Sequence, residues 1–243
     1  MTTRKRADLL LVERGLFESR AKAQAAIEAG LVTADDEPVS KPSDTLAPDC
    51  VLRASPAHPW VSRGGVKLAA ALDHFGFDAN GCTGLDLGAS TGGFTEVLLA
   101  RGARRVYAVD VGHGQLHERL AERCEVVVLE GVDARTLTPA LIPEPLAFAT
   151  VDVSFISLKL VLPPVLALLR PPAWLVALIK PQFEAGRRHL KKGVVRDPQV
   201  HAAVCDDIAV FVAAQGLRVV GIIPSPITGG DGNHEFLIGA RFQ

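Results

Sequence analysis

From residue 63 onward, short apolar runs alternate with segments in which apolar residues recur every three or four positions. The runs predict buried strands, and the recurring spacing predicts the helices that cover them. Strands are predicted at 83–89, 105–111, 124–130, 146–153, 174–180, 218–227 and 234–242. The first five runs are apolar throughout, which is typical of a parallel sheet covered on both faces. A glycine-rich turn joins the last two strands, so we expect them to pair antiparallel in an α/β fold.

The first 55 residues follow a different pattern, with two short helices followed by a pair of strands. One helix is predicted over about 6–14, and a second begins after Ser19, a favourable N-cap, and ends near Gly30. The segments "LVTADDEPVSK" and "DCVLRAS" predict short strands. The proline-containing stretch "ASPAHPWVS" is typical of a linker. We therefore predict a small α+β module at 1–55, a linker at 56–62 and a larger domain at 63–243.

Composition and charge narrow the class of protein. With 48% hydrophobic and 22% charged residues the chain is globular, and its net charge of −1 argues against a protein that coats nucleic acid. Four widely spaced cysteines predict neither a disulfide framework nor a metal site. Two Pro-Pro pairs and Arg170 interrupt the apolar region 158–180, so a membrane-spanning helix is not expected. We expect a soluble, cytoplasmic, monomeric protein.

The segment "LDLGASTGGFTEVLL" places a glycine-rich turn between a strand and a helix. Glycines let a ligand approach the backbone, although the spacing differs from that of dinucleotide-binding turns and also suits a simple tight connection. Asp110 ends the next strand, where a carboxylate can accept hydrogen bonds from both ribose hydroxyls, and Asp133 is placed to meet an adenine amino group. The candidate contacts for a nucleoside-containing cofactor are Asp86, Gly88, Ser90, Gly92, Gly93, Phe94, Asp110, Val111, Asp133 and Asp152.

Two further charged residues stand where predicted strands end. Asp152 follows the fourth strand and Lys180 the fifth. Ligands of open α/β sheets bind outside the carboxyl ends of the strands, so both residues should face the crevice of the glycine turn. The aliphatic stem of Lys180 can be buried while its amine reaches that pocket. By pattern alone, Lys67 and Glu235 are more simply explained as surface charges.

Five motifs together resemble the TlyA family of ribosomal RNA methyltransferases, within the FtsJ-like ribose 2′-O-methyltransferases: "SRGGVKL", "DLGASTGGFT", "VDVSFISL", "LIKPQFE" and "GNHEFL". The segment "RADLLLVERGLFESRAKAQAAIEAGLV" resembles the RNA-binding module of a small-subunit ribosomal protein and many pseudouridine synthases. The resemblance implies a Rossmann-like methyltransferase sheet, S-adenosylmethionine as cofactor and a Lys-Asp-Lys-Glu catalytic tetrad. Its members would be Lys67, Asp152, Lys180 and Glu235. The stretch "ADDEPV" departs from the Asn-Gly type of turn usual in that module.

The resemblance predicts methyl transfer from S-adenosylmethionine to a ribose 2′-hydroxyl of ribosomal RNA. We expect Lys180 to act as general base, Asp152 to orient it, and Lys67 with Glu235 to fix the amine and the ribose. Ribosomal RNA or ribosomal subunits are the expected partners, and no metal is expected. Basic residues predicted to contact RNA phosphates, with a solvated basic surface as the alternative, are Arg4, Arg6, Arg20, Lys22, Arg63, Arg187, Arg188, Lys191 and Lys192.

Three other functions stay open from the sequence. The doubly wound pattern and Asp110 also suit an NAD-dependent oxidoreductase, although the glycine spacing and the paired lysines argue against it. A membrane-acting haemolysin is a second alternative, because that name is attached to the family, but the chain has no uninterrupted apolar span. A non-catalytic RNA-binding chaperone is the third, and the presence of all four tetrad residues argues against it.

Overall fold

The structure is a computed structural model that describes residues 4–229 and 232–243, without the side chain of Arg187. The chain divides into two compact units, Met1–Pro59 and Trp60–Gln243. The division falls inside the predicted linker. Within that linker Val61 belongs to the second unit, because it is buried and its N–H donates to Glu96 Oε2 at 2.5 Å. The exact bounds of module, linker and domain stay a prediction.

The first unit contains β1 (Lys5–Arg6), α1 (Ala7–Glu13), α2 (Arg20–Glu28), β2 (Val32–Ala34), β3 (Glu37–Pro38), β4 (Thr45–Leu46) and β5 (Leu52–Ala54). The Ser19 hydroxyl accepts a hydrogen bond from the Lys22 N–H at 3.3 Å, which confirms Ser19 as the N-cap of α2. Strand β2 pairs antiparallel with β3 and β5, and β1 pairs with β4. Leu11, Phe17 and Ile27 form the centre of a small apolar core.

The second unit contains α3 (Gly64–Phe75), β6 (Thr83–Leu87), α4 (Gly93–Ala100), β7 (Arg105–Asp110), α5 (Glu118–Ala121), β8 (Val126–Glu130), β9 (Leu146–Val151), α6 (Leu158–Leu168), β10 (Leu169–Ile179), α7 (Pro181–Glu184), α8 (Pro198–Ala214), β11 (Arg218–Pro224) and β12 (Phe236–Phe242). Short 3-10 turns lie at Ala134–Thr136 and Arg187–His189. Within the described residues, no helix combines the length and the apolar character needed to cross a membrane.

The seven strands of the second unit form one sheet in the order β11-β12-β10-β9-β6-β7-β8. Strands β6 to β10 pair in parallel, and β12 runs antiparallel between β10 and β11. The predicted fold class is therefore confirmed. Because β12 is reversed, its first residue lies at the same edge of the sheet as the carboxyl ends of the parallel strands. Side chains before β12 and after β10 thus become neighbours.

Helices cover both faces of this sheet and bury its apolar side chains. On one face α6 and α8 contribute Val161, Leu162 and Ile208 to the core, and on the other α3 contributes Leu68 and Leu72. Helix α6 continues through the Pro163–Pro164 pair and ends at Leu168, where β10 begins. Each proline removes a helical hydrogen-bond donor, but the apolar face of α6 packed on the sheet outweighs that local cost.

Candidate active site

The glycine turn between β6 and α4 needs its glycines for two different reasons. Gly88 and Gly92 have φ of +79° and +94°, a region that side-chain-bearing residues rarely adopt. A Cβ at Gly88 would lie 2.2 Å from the Asp152 carbonyl oxygen, and one at Gly93 would lie 2.2 Å from Ser62 Oγ. The missing side chains therefore let the turn pack closely against its protein neighbours, and Gly88 and Gly93 also line a cavity.

Asp110 fixes the glycine turn from the end of β7. Its two carboxylate oxygens accept hydrogen bonds from the N–H groups of Ser90 and Gly112, each at 2.8 Å. Every carboxylate oxygen has a second lone pair, so Asp110 keeps acceptor capacity for ligand hydroxyl groups. This arrangement is compatible with the predicted ribose contact.

Asp86 is the penultimate residue of β6, just before the glycine turn. It is fully buried, and its carboxylate accepts hydrogen bonds from Thr95 Oγ1 at 2.6 Å and Thr150 Oγ1 at 3.1 Å. Burial raises the pKa of Asp86 to about 7, against the lowering effect of the two threonine hydroxyls. These two contacts hold α4 and β9 to β6, and the predicted contact of Asp86 with a cofactor stays a prediction.

The other predicted cofactor contacts have varied surroundings. The side chain of Asp133 pairs with the Arg135 guanidinium at 2.5 Å, which lowers the pKa of Asp133 to about 2. Phe94 is buried and lines a cavity beside the glycine turn. Val111 is exposed. The carboxylate of Asp133 is thus already engaged, and its predicted adenine contact stays a prediction.

Lys180 and Asp152 form the first of two ion pairs at the carboxyl edge of the sheet. Lys180 Nζ lies 2.6 Å from Asp152 Oδ1, and it donates a hydrogen bond to Ser154 Oγ at 2.8 Å. The side chain of Lys180 is only 10% exposed, so its aliphatic stem is buried in the way the strand pattern predicted. The amine is held between an acid and a hydroxyl at the end of β10.

Lys67 and Glu235 form the second ion pair, with Nζ and Oε2 2.5 Å apart and both side chains buried. They are separated by 168 residues in the chain. The sheet topology explains the meeting: Phe236 of β12 is paired with Ile179 of β10, so Glu235 emerges next to Lys180. Lys67 reaches this edge from the first turns of α3.

Two neighbouring cavities connect the pairs. The smaller one, of about 250 Å³, is lined by the glycine turn together with Lys67 and Asp152. The larger one, of about 1100 Å³, is lined by Lys67, Lys180 and Glu235. Lys67 lines both, so each of the four tetrad candidates lines at least one of two adjacent cavities. The larger cavity is of the size that holds a small-molecule or nucleotide ligand.

Several residues that line the larger cavity were not selected from the sequence. Phe155 is 90% exposed, has a φ of +65°, and its ring lies 5.0 Å from that of Phe183. Gln182 and Ser154 also line the cavity. They lie in the motifs "VDVSFISL" and "LIKPQFE", where reasoning about charge selected only the aspartate and the lysine. Phe155 and Phe183 thus add two aromatic rings to a cavity that is also lined by paired charges.

The basic residues of the first unit are held by local partners. Arg6 and Arg20 both bind the buried carboxylate of Asp8, at 3.0 and 2.9 Å, and the Arg6 guanidinium is the main reason that the pKa of Asp8 lies far below its usual range. Lys22 pairs with Glu18 at 2.6 Å, and Arg4 donates to the Thr45 carbonyl oxygen. The guanidinium groups of Arg6 and Arg20 stay about half exposed and are available to phosphates.

The basic residues of the second unit border the cavities. Arg63 is exposed at the start of α3 and lines the smaller cavity. Arg188, Lys191 and Lys192 are exposed in a segment whose neighbours Gly186, Leu190 and Gly193 line the larger cavity. The predicted contact of Arg187 lies outside the described residues. Within the described ranges, no three His, Cys, Asp or Glu side chains are grouped to hold a metal ion.

Comparison with known proteins gives matches over both units of the chain. A family model described as FtsJ-like methyltransferase matches residues 60–242, and an S4 domain model matches residues 5–49. The TlyA protein of Mycobacterium tuberculosis strain H37Rv, named a 16S/23S rRNA (cytidine-2′-O)-methyltransferase, is 45% identical, over 100% of this chain and 92% of its own. YqxC of Bacillus subtilis strain 168, provisionally named an rRNA methyltransferase, is 49% identical, over 98% of this chain and 86% of its own.

A solved structure is also similar to this chain. It comes from Streptococcus thermophilus, is provisionally named a hemolysin, and superposes with a TM-score of 0.78 at 40% identity. The likeness covers 100% of this chain and 90% of that one. Both units are therefore shared with the similar protein.

Proposed function

Because this chain belongs to the FtsJ-like methyltransferase family, we propose that it transfers a methyl group from S-adenosylmethionine to a ribose 2′-hydroxyl of ribosomal RNA. The observation that supports this most strongly is the convergence of Lys67, Asp152, Lys180 and Glu235 on two neighbouring cavities. The names of two similar proteins support RNA as the methyl acceptor. The same evidence favours a methyltransferase over the NAD-dependent oxidoreductase.

S-adenosylmethionine is proposed to bind at the glycine turn and in the smaller cavity beside it. Gly88 and Gly93 line this cavity with backbone alone, and Asp110 retains acceptor capacity for ribose hydroxyls. When bound, S-adenosylmethionine supplies a methyl group attached to a cationic sulfur. Gly88, Gly93 and Asp110 would hold the nucleoside, and the carboxylate of Asp152 adds negative charge at the wall of the same cavity.

Lys180 is proposed as the general base. A ribose hydroxyl is a weak nucleophile until its proton is removed, and a positioned base typically contributes about 10²–10⁴-fold to the rate. A lysine that accepts a proton must be neutral when it does so. Ser154 and Asp152 fix the amine at 2.8 and 2.6 Å, which aligns it for that transfer. Lys67, held by Glu235, would orient the ribose from the opposite wall.

The larger cavity is proposed to receive the target nucleotide. Its lining combines the paired charges with the aromatic rings of Phe155 and Phe183, which suits a ribose and an unstacked base. A cytidine target follows from the name of the M. tuberculosis relative. The exposed Arg188, Lys191 and Lys192 lie next to this cavity and would bind phosphates of the same strand.

The S4 domain is proposed to add affinity for ribosomal RNA or ribosomal subunits, through Arg6 and Arg20 above all. Both guanidinium groups are pre-oriented by Asp8, which reduces the entropy lost when they bind phosphate. We propose that the enzyme acts as a cytoplasmic monomer.

The proposal is tested with the purified full-length chain, tritiated S-adenosylmethionine, and ribosomal RNA or subunits from cells that lack the protein. We expect label in RNA at a position that resists alkaline cleavage, because a 2′-O-methyl group blocks that reaction. Nicotinamide absorbance, followed in parallel, tests the oxidoreductase. Label on a base, or no label in any RNA or subunit, would contradict the proposal.

A further inference from the structure

Two turns of the chain carry the ion pair of Lys180 and Asp152. The first turn, 152–157, leads from β9 to α6, and the second, 180–184, leads from β10 through α7. Since β9 and β10 are neighbouring parallel strands, the two turns leave the sheet side by side. The separation of the two turns therefore determines how the lysine meets the aspartate.

Glu184, the last residue of α7, joins these turns. Its Oε2 accepts a hydrogen bond from Ser157 Oγ at 2.5 Å, and its Oε1 accepts one from the Leu158 N–H at 2.8 Å. Ser157 is the N-cap of α6 and Leu158 its first residue. The N–H groups of a first helical turn have no partner inside the helix, so an external carboxylate is a favourable acceptor there. We refer to these two contacts as the Glu184 bridge.

The surroundings of Glu184 make the bridge a fixed contact. The carboxyl is partly buried, and burial raises the pKa of Glu184 while the hydrogen bonds from Ser157 and Leu158 oppose that rise. A buried carboxylate without hydrogen-bond partners is unfavourable, so loss of the hydrogen bond from Ser157 Oγ or the Leu158 N–H would destabilise this position of the side chain. Glu184 lines neither cavity, and any effect on chemistry must pass through these partners.

The bridge closes a turn that is already anchored at its other end. The Asp152 N–H donates to the Leu87 carbonyl oxygen at 2.9 Å, so only residues 153–156 lie between the sheet and the bridge. Ser154, which accepts the hydrogen bond of Lys180, lies in that stretch. Phe155 also lies there, with its left-handed φ of +65°. A non-glycine residue keeps such a backbone only where its surroundings impose it, and the bridge supplies one of the two fixed ends.

We propose that Glu184 is a positioning residue for methyl transfer: it ties the turn of Asp152 to the turn of Lys180 and thereby fixes the Lys180 amine. Loss of the bridge frees Ser154 to move and leaves the amine less well aligned. The catalytic use of that amine rests on the proposed function, whereas its alignment by Glu184 does not.

The first test compares Glu184→Ala, Glu184→Gln, Ser157→Ala and the Glu184→Ala/Ser157→Ala double variant. We expect Glu184→Ala to lower kcat for RNA methylation about tenfold or more, as misalignment does, while S-adenosylmethionine affinity stays within about twofold. Glutamine keeps one acceptor oxygen for the Leu158 N–H and should recover part of kcat. Both substitutions break the contact between Ser157 Oγ and Glu184, and Ser157→Ala also removes the hydrogen bond from the Lys159 N–H, so the loss in log kcat of the double variant should be smaller than the sum of the two single losses. Full kcat in Glu184→Ala would overturn the proposal.

A second measurement needs no RNA and so separates this proposal from the proposed function. Lys180 is acylated with acetic anhydride and its peptide quantified by mass spectrometry. We expect faster labelling of Lys180 in Glu184→Ala, and a smaller increase in Glu184→Gln, than in wild type. The matched control is Glu122→Gln, an exposed position beyond α5 that should label like wild type.

The outcomes are distinct. Faster labelling in a protein that methylates no RNA would support the bridge and contradict the proposed function. Equal labelling in wild type and both Glu184 variants would overturn the bridge, whatever the methylation assay shows.

Discussion

Because the carboxyl group of Asp86 is buried, we expect it to make the free energy of unfolding fall as pH rises. In the folded chain burial raises the pKa of Asp86 from 3.8 to about 7. Between those values the folded state holds a proton that the unfolded state has lost, so the free energy of unfolding falls as pH rises. From pH 5 to pH 8 this group alone should lower it by about 2 to 3 kcal/mol.

Asp86→Asn removes the titration and keeps the shape of the side chain. The asparagine oxygen can still accept a hydrogen bond from Thr95 Oγ1. The Thr150 hydroxyl can donate instead to the Leu85 carbonyl oxygen, which already lies 3.3 Å from it. Between pH 5 and pH 8 the free energy of unfolding of wild type should therefore fall by about 2 to 3 kcal/mol more than that of the variant.

Urea unfolding followed by tryptophan fluorescence measures this difference. Both tryptophans, Trp60 and Trp174, lie in the second unit, so the signal reports on the unit that contains Asp86. Asp206→Asn, at an exposed position of α8, is the matched control. Its free energy of unfolding should change with pH in the same way as that of wild type. If the free energy of unfolding had the same pH dependence in wild type and Asp86→Asn, the reasoning would be refuted, because the buried group would then not titrate in this range.

Two further predictions concern ligand binding. Gly88→Ala places a Cβ 2.2 Å from the Asp152 carbonyl oxygen at a φ of +79°, so calorimetric titration should show S-adenosylmethionine affinity reduced by about tenfold or more, and undiminished affinity would remove the turn from the binding site. Replacing Arg188, Lys191 and Lys192 together by glutamine should reduce the slope of log affinity for single-stranded RNA against log salt by about 2, and an unchanged slope would show that these side chains contact no phosphate.

The sequence predicts the fold well because the relevant signals are local. The Ser19 cap of α2 and the order of apolar runs in the second unit are set by neighbours in the chain. The course of α6 through Pro163–Pro164 is not set locally in this way, because the contacts that stabilise the helix form only where its apolar face lies on the sheet.

The site depends on contacts between distant segments, which spacing does not reveal. Asp86 and Asp110 both stand near strand ends and look alike in the sequence. Only the pairing of Asp86 with Thr150 on β9 shows that its carboxyl turns inward, away from the cavity. Likewise, Lys67 and Glu235 resemble surface charges until the reversed strand β12 brings Glu235 to the edge that Lys67 reaches. Glu184 has no local signal at all, because its partners belong to another turn.

The central claim, that Lys180 removes the proton of a ribose hydroxyl beside a bound methyl donor, is tested most directly by Lys180→Ala. S-adenosylmethionine affinity and methyl transfer to ribosomal RNA are measured on the same preparation, with tryptophan fluorescence as the control for folding. The account predicts affinity within about twofold of wild type and a rate of transfer lower by about 10²–10⁴-fold. Undiminished transfer by the folded variant would contradict it.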